Sequence, residues 1–315
     1  NLIDELNYFE EDLRIYDTDQ IDDPAYYSRI EPEPSKEKIE LIHDALVMGI
    51  RNYFRKLGFD KAVLGLSGGI DSAVTLVLAA RALGEKNVMA VLLPSEYSSA
   101  HSITDAELLA RNLNCPYETI SIKEAYQSFE RSLNPLFEGL PFGLTEENLQ
   151  ARIRGVILMA LSNKFGHILL NTSNKSEAAV GYGTMYGDMN GGLSVLGDVY
   201  KTDVFSLARF INRDGEIIPE NSIIKPPSAE LRPDQKDTDS LPEYYILDKI
   251  LYEYIELRKG PKELIEMGFE EEVVRRVLKL VNTNEYKRYQ TPPILRISSK
   301  AFGTGRRLPL VARYG

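Results

Sequence analysis

The chain has 315 residues, with 37 Lys plus Arg against 47 Asp plus Glu, one cysteine and no tryptophan. That length supplies a core for one large domain or two small ones, and a net charge of −10 argues against nucleic acid as the main partner. No apolar run reaches the length of a membrane span, and the single Cys115 permits no internal disulfide, which fits a reducing, cytoplasmic setting.

The charge is concentrated at one end. Residues 1–34 hold eleven acids against Arg14 and Arg29, whereas the rest of the chain carries 36 acids and 35 bases. This acidic, Tyr-rich segment ends in Glu31-Pro-Glu-Pro34 and reads as a linker or extended arm. Tyr8, Phe9, Tyr26 and Tyr27 are its side chains suited to docking. An opening of Asn1-Leu-Ile-Asp4, with no Met, reads as part of something longer.

Ser35 is the expected start of a helix, with Ile39, Ile42, Leu46, Ile50, Tyr53 and Leu57 at helical spacing. Ala62-Val-Leu-Gly-Leu66 is a short apolar strand, Ser67-Gly-Gly-Ile-Asp-Ser72 a turn of small residues, and 73–83 a strong helix former. The alternation continues with a strand at 88–93, a helix at 103–113, a strand near 117–122, helices at 123–133 and 146–165, and a strand at 167–171. Apolar strands alternating with amphipathic helices predict an α/β fold, a doubly wound parallel sheet flanked by helices, with ligands at the carboxyl ends of the strands. Cys115, between a helix pattern and a strand pattern, is expected to be a packing residue.

Beyond Thr172 the pattern changes. Residues 181–197 contain six glycines and predict a shaped loop; 201–211 returns to helix; 219–242 is rich in Pro and charge and predicts a long functional loop. Helices fill 243–283, giving a helical C-terminal part. Residues 286–315 carry seven bases and no acid, a stretch suited to phosphate-rich ligands.

The turn after the first strand carries chemistry. Gly68 and Gly69 let successive backbone N–H groups converge into an anion nest, and the following helix adds its donors and positive dipole end. No lysine stands where a Walker loop needs one. Instead Asp71 places a carboxylate within a phosphate cradle, which implies a bridging Mg²⁺. As an alternative, Ser67 and Asp71 are ordinary helix caps. A second block, Asn171-Thr-Ser-Asn-Lys-Ser-Glu177, follows a strand, so Thr172 falls at the same sheet edge as Ser67. Glu177, at the start of another helix, is placed to face Asp71 across a metal site, or else only complements the helix dipole. The three histidines, His43, His101 and His167, are scattered and have no nucleophile partner.

Ser67-Gly-Gly-Ile-Asp-Ser72 after Val63-Leu-Gly-Leu66 resembles the PP-loop of the N-type ATP pyrophosphatases, which adenylate a carboxylate or carbonyl oxygen. The second block, with Asp198-Val-Tyr-Lys-Thr202, Lys225-Pro-Pro-Ser-Ala-Glu-Leu-Arg-Pro-Asp-Gln235, Asp239-Ser-Leu-Pro242, Asn284-Glu-Tyr-Lys-Arg288 and Arg296-Ile-Ser-Ser-Lys-Ala-Phe-Gly303, resembles the glutamine-dependent branch of the NAD⁺ synthetases. The resemblance runs from about Ser35 to Gly315. It implies the adenine nucleotide alpha hydrolase-like fold and amidation of nicotinic acid adenine dinucleotide through an acyl adenylate, with release of AMP and pyrophosphate.

Carried over by position, Gly65, Leu66, Ser67, Gly68, Gly69, Ile70, Asp71 and Ser72 line the ATP phosphates, and Thr172, Lys201 and Ser228 contact ATP. Asp71 and Glu177 hold Mg²⁺, and Lys201 stabilises the departing pyrophosphate. Asn148, Arg152, Glu177, Tyr286 and Lys287 meet the dinucleotide. Met185 and Gly192 replace a lysine and an aspartate of the ammonia-dependent branch, so those two contacts do not transfer. The resemblance also implies ammonia from an amino-terminal amidase domain, for which 1–34 is the joint and 35–315 the synthetase domain. It further implies a homodimer or larger symmetric assembly, for which helical stretches such as 146–165 are candidate interfaces. A GMP-synthetase-like amidotransferase and a catalytically silent nucleotide-binding module are the competing readings.

Overall fold

The computed structural model describes residues 4–19, 36–233 and 235–311. Tyr26, Tyr27 and Ser35 lie outside them. The first described helix, α1 (Lys38–Leu57), takes Glu37 as its N-cap residue and closes on Gly58, whose left-handed φ of 75° suits only glycine without strain. It therefore begins three positions after the expected start.

Four strands match the predicted apolar runs: β1 (Ala62–Gly65), β2 (Val88–Leu92), β3 (Tyr117–Thr119) and β4 (Ile168–Asn171). A fifth, β5 (Leu193–Ser194), lies inside the glycine-rich stretch that reads as loop. Its Leu193 pairs with Leu170, because Gly191 and Gly192 bring the backbone against β4 where a Cβ at either would meet β4 atoms at 3.1 and 2.9 Å. The sheet order is β3-β2-β1-β4-β5, every pairing parallel. The strand order thus reverses between β1 and β4, which opens a crevice at their carboxyl ends.

Alternation along the strands distributes two cores. Ala62, Leu64, Val88, Ala90 and Leu92 face α1, α2 (Ile70–Leu83), α3 (Ala100–Asn112) and α7 (Lys201–Ile211). Val63, Val91 and Leu169 face the opposite side, where α4 (Lys123–Phe137) and α5 (Leu144–Phe165) supply Tyr126, Ile153 and Leu158. The sheet is doubly wound, as its sequence pattern predicts. α2 is buried from Ser72 to Ala80, and at Ile70, because the sheet, α1 and α7 enclose it, which explains its nearly all-apolar sequence. It starts within the Ser67–Ser72 motif, three residues before the predicted boundary.

A third core joins α6 (Lys175–Val180), α9 (Tyr244–Ile255), α10 (Pro261–Glu266) and α11 (Glu271–Thr283) around Leu247, Ile250, Val274 and Val277. The Pro-rich stretch at 219–242 is mostly irregular, with α8 (Glu220–Ile224) at its start; α12 (Glu285–Arg288) follows α11. Cys115 is buried as expected, and burial pushes its thiol up to about 11. Among the described residues no helix is long and apolar enough to cross a membrane.

Candidate functional site

The carboxyl ends of β1, β2 and β4 converge on two adjoining cavities. One, of about 210 Å³, contains the Ser67–Ser72 loop, Glu177, Lys201 and Asp237 in its walls. The other, of about 260 Å³, runs along the strand ends between Leu66, Leu92, Leu158 and Leu170. Ser67 and Thr172 border both, so the polar chamber opens directly beside the apolar one.

Local hydrogen bonds shape the loop. Ser72 Oγ donates to the Gly69 carbonyl at 3.0 Å and accepts from the Ser67 amide at 3.2 Å, while the Gly69 amide donates to Ser67 Oγ at 3.2 Å. Gly68 has φ of 78°, and a Cβ there would meet the Ser102 carbonyl oxygen at 2.1 Å. Backbone strain and lack of space both demand glycine. Ser222, from α8, donates to the Gly68 carbonyl at 3.0 Å and holds the loop from outside.

Asp71 enters from the first turn of α2, Lys201 from the first residue of α7 and Glu177 from the first turn of α6. Lys201 Nζ lies 2.5 Å from Asp71 Oδ2 and 3.6 Å from Glu177 Oε1. Asn174 Nδ2 donates to the second Asp71 oxygen at 2.9 Å. Asn174 also caps α6, its Oδ1 accepting from the Glu177 amide at 3.0 Å, and Glu177 Oε2 accepts from the Asn174 amide at 3.3 Å. Lys201 is only 2% exposed. Its position is set by neighbours: the Lys201 amide donates to Ser176 Oγ at 2.9 Å and the Thr202 amide to Asp248 Oδ2 at 2.8 Å.

The electrostatics follow from burial. Desolvation, then the Asp71 charge, push the Glu177 carboxyl up to about 8, while Lys201 opposes them. The Lys201 ammonium is held above the usual lysine range by Asp71 and Glu177 despite its burial. A third acid, Asp237, accepts from the Tyr182 hydroxyl at 3.1 Å and the Tyr244 hydroxyl at 2.9 Å, and burial raises its pKa. The Tyr244 ring lies 5.2 Å from the Lys201 ammonium. One lysine therefore stands among three carboxylates.

Gly65, Leu66, Ser67, Gly69, Ile70, Asp71, Ser72, Thr172, Glu177, Lys201 and Ser228 all border one or both cavities. Gly68 shapes the loop from behind. Four expected residues border neither chamber. Asn148 Oδ1 accepts from the Thr184 hydroxyl at 2.8 Å, and Arg152 Nε donates to the Met185 carbonyl at 3.3 Å, so both brace the glycine-rich loop. Lys287 Nζ donates to the carbonyls of Gly181 and Gly183 at 2.7 and 2.8 Å, and Tyr286 is exposed beside it. The basic C-terminal stretch is largely occupied: Arg288 is buried on Glu285 at 2.8 Å and on the Ala179 carbonyl at 2.6 Å.

Sequence reasoning did not single out Asn174, Asp237, Tyr182, Tyr244 or Glu230. The Asn174-x-x-Glu177 spacing is a capping-box signature and points to Asn174. Asp237 and Glu230 carry no such local signal, since long-range docking of 225–239 brings them in. Glu230 Oε1 accepts from the Ser102 hydroxyl at 2.7 Å and the Ser99 hydroxyl at 2.9 Å, and Gln150 Nε2 donates to the Leu231 carbonyl at 2.9 Å. This segment roofs both cavities.

Residues 42–291 match the NAD synthase family. A glutamine-dependent NAD(+) synthetase of Synechocystis sp. is 50% identical over 97% of this chain and 55% of its own length. The glutamine-dependent NAD+ synthetase of Acinetobacter baumannii, solved in complex with ADP, superposes with a TM-score of 0.62 at 46% identity over 90% of this chain and 51% of that one. The NH3-dependent NAD synthetase of Campylobacter jejuni superposes with a TM-score of 0.65 at 28% identity, over 83% of this chain and 100% of that one. The chain spans about half the length of the curated relatives it matches. The loop at the β1 edge, the α6 capping box and the match along most of the chain agree: the chain belongs to the NAD synthase family.

Proposed function

We propose that this chain amidates nicotinic acid adenine dinucleotide to NAD⁺ at the expense of ATP, with ammonia as the nitrogen donor. The observation that carries the reading is Lys201 held between Asp71 and Glu177 beside a glycine-rich loop at the crevice of a parallel sheet. Ser67 to Ser72, with Thr172 and Ser228, line the polar chamber as a triphosphate site. The apolar chamber beside it takes the adenosine, consistent with the ADP of the Acinetobacter relative.

Asp71 and Glu177 fit a divalent cation. They are two oxygen donors converging on the Lys201 ammonium, and burial with the neighbouring Asp71 charge, which together raise the Glu177 pKa, is a setting that a divalent cation beside them would relieve. Bound there, Mg²⁺ would neutralise phosphate oxygens. Lys201 places a fixed cation where charge accumulates as the substrate carboxylate oxygen bonds to the α-phosphorus and pyrophosphate departs. Ammonia then attacks the acyl carbon of the adenylate, loses a proton, and AMP leaves. Asn148, Arg152, Tyr286 and Lys287 hold the dinucleotide beside this centre, partly by shaping the 181–192 loop.

The reading extends to assembly. α4, α5 and the turn between them leave Leu136, Leu140, Leu144 and Val156 each at least 68% exposed, a face that a second copy of the chain covers in a homodimer. The setting is cytoplasmic, where the dinucleotide and ATP are available. The test of function is a single assay with ATP, Mg²⁺, ammonium and nicotinic acid adenine dinucleotide. Stoichiometric AMP and NAD⁺ support the reading; ADP release, or turnover of XMP instead, sinks it.

A further inference from the structure

Arg154 lines the apolar chamber from α5, one turn before Leu158. Its Nε donates to the carbonyl of Leu93, just past the end of β2, at 3.0 Å, which fixes the plane of the guanidinium against the chamber wall. Among the described residues it forms no ion pair, although Asp188 and Glu230 line the same chamber and act on it from a distance. Burial pulls its pKa down to about 10, still leaving it charged at neutral pH.

A guanidinium with no direct ion pair, compensated only from a distance by Asp188 and Glu230, is costly to hold in a site walled largely by leucines unless a ligand contacts it. Anion recognition already has its place in the other chamber, with Lys201, Lys225 and the N–H groups of the loop. The apolar chamber has the opposite character. Its one arginine is balanced by two carboxylates, so its field does not favour a further anion, and its remaining walls are largely aliphatic. What such a place recognises is a flat, neutral, π-rich ring, for which a planar guanidinium supplies a cation–π and stacking contact that an ammonium does less well.

Resting on the nucleotide reading above, we propose that Arg154 is a contact residue for the purine base of the nucleotide, packing its guanidinium plane on the ring while the loop chamber holds the phosphates. Neighbouring Gly155 serves the same wall. A Cβ there would meet Asn190 Nδ2 at 2.6 Å and the Tyr186 carbonyl oxygen at 3.0 Å, so the glycine lets the 186–190 loop close over the chamber beside Arg154.

The test compares ATP with inorganic tripolyphosphate, which has the phosphates and no base, by calorimetry in Mg²⁺ on the wild-type chain, Arg154→Met and Arg154→Lys. Arg154→Met is expected to weaken ATP about tenfold while tripolyphosphate stays within about twofold, with Arg154→Lys between wild type and Met for ATP alone. Equal weakening of both ligands would make Arg154 a phosphate or structural group and overturn the proposal, as would an unchanged ATP affinity in either variant. Should Arg154→Met not fold, the Lys variant decides by the same comparison. A wild-type chain that binds neither ligand brings down the nucleotide reading itself. A wild type that binds both, with its preference for ATP intact in the variants, removes only the role of Arg154.

Discussion

Lys201 and Asp71 meet at 2.5 Å across 130 positions of sequence, each presented by the first turn of its own helix. The contact links α7 to the first turn of α2, beside the Ser67–Ser72 loop, and pairs the site's lysine with one of its carboxylates. Replacing Lys201 by Ala removes the counter-charge of two half-buried carboxylates and, in the proposed reaction, the group that faces the departing pyrophosphate. We expect AMP formation to fall by about 10²–10³ at saturating substrates, the size of a lost electrostatic group in a closed site. Quenched-flow measurement of AMP checks this, and a loss below about tenfold would contradict the role.

Glu177 has a folded-state pKa of about 8 against an ordinary 4.5. A raised carboxyl pKa means that the folded protein binds the proton more tightly than the unfolded chain. The resulting stabilisation is complete below pH 4.5 and is lost as pH rises toward 8. With a chelator present, wild type is expected to lose stability across that window more steeply than Glu177→Gln. Urea midpoints at pH 5, 6, 7 and 8 measure it, and parallel curves would refute the assignment.

Gly68 permits no side chain. Gly68→Ala forces a left-handed residue, at about 1–2 kcal/mol, and also drives a methyl into the Ser102 carbonyl. ATP binding should be lost, whereas Gly58→Ala, equally left-handed but with nothing within 4 Å, should cost stability and leave binding intact. Denaturation and calorimetry on both variants separate strain from collision.

Lys175 is fully buried between Asp198 at 2.7 Å and Glu256 at 2.5 Å. Lys175→Met leaves two acids unpaired, and a loss of about 3–5 kcal/mol is expected. A cost under about 1 kcal/mol, read from urea unfolding, would show that solvent reaches the pair.

Cys115 is the only thiol of the sequence and, with a pKa near 11, is not a nucleophile at neutral pH. The resemblance assigns glutamine hydrolysis to a cysteine nucleophile of the amidase domain, a role Cys115 does not fill, so this chain should make NAD⁺ with ammonium and none with glutamine, and iodoacetamide should leave it unlabelled in the native state. In sedimentation it should run as a dimer that Val156→Glu splits.

The strands, the glycine loop and the two first-turn acids beside it were legible because each depends on a local pattern: an apolar run, two adjacent glycines, a first-turn carboxylate. β5 was not, since two residues show no periodicity and its pairing rests on the absence of Cβ atoms at Gly191 and Gly192. Asp237 was equally silent. Nothing in its neighbours tells that two tyrosine hydroxyls, at 55 and 7 positions' distance, will claim it. Arg152 and Lys287 were named as dinucleotide contacts through family resemblance, and in the structure their hydrogen bonds turn inward to the 181–185 carbonyls.

Asp198 accepts hydrogen bonds from the amides of Ile297 and Ser298 at 2.8 and 2.7 Å, and Ser298 Oγ completes the shell of Lys175 at 2.8 Å. Lys175 directly follows Asn174, whose side chain holds Asp71. The floor of the candidate site is therefore finished by residues 297–298, more than 120 positions beyond Lys175. During synthesis the sheet and its loop can assemble long before residue 298 emerges from the ribosome, yet until then a buried ammonium and two acids lack their last partners. Termination between residues 239 and 297 would yield a chain with every residue of the polar chamber and an unfinished floor beneath it.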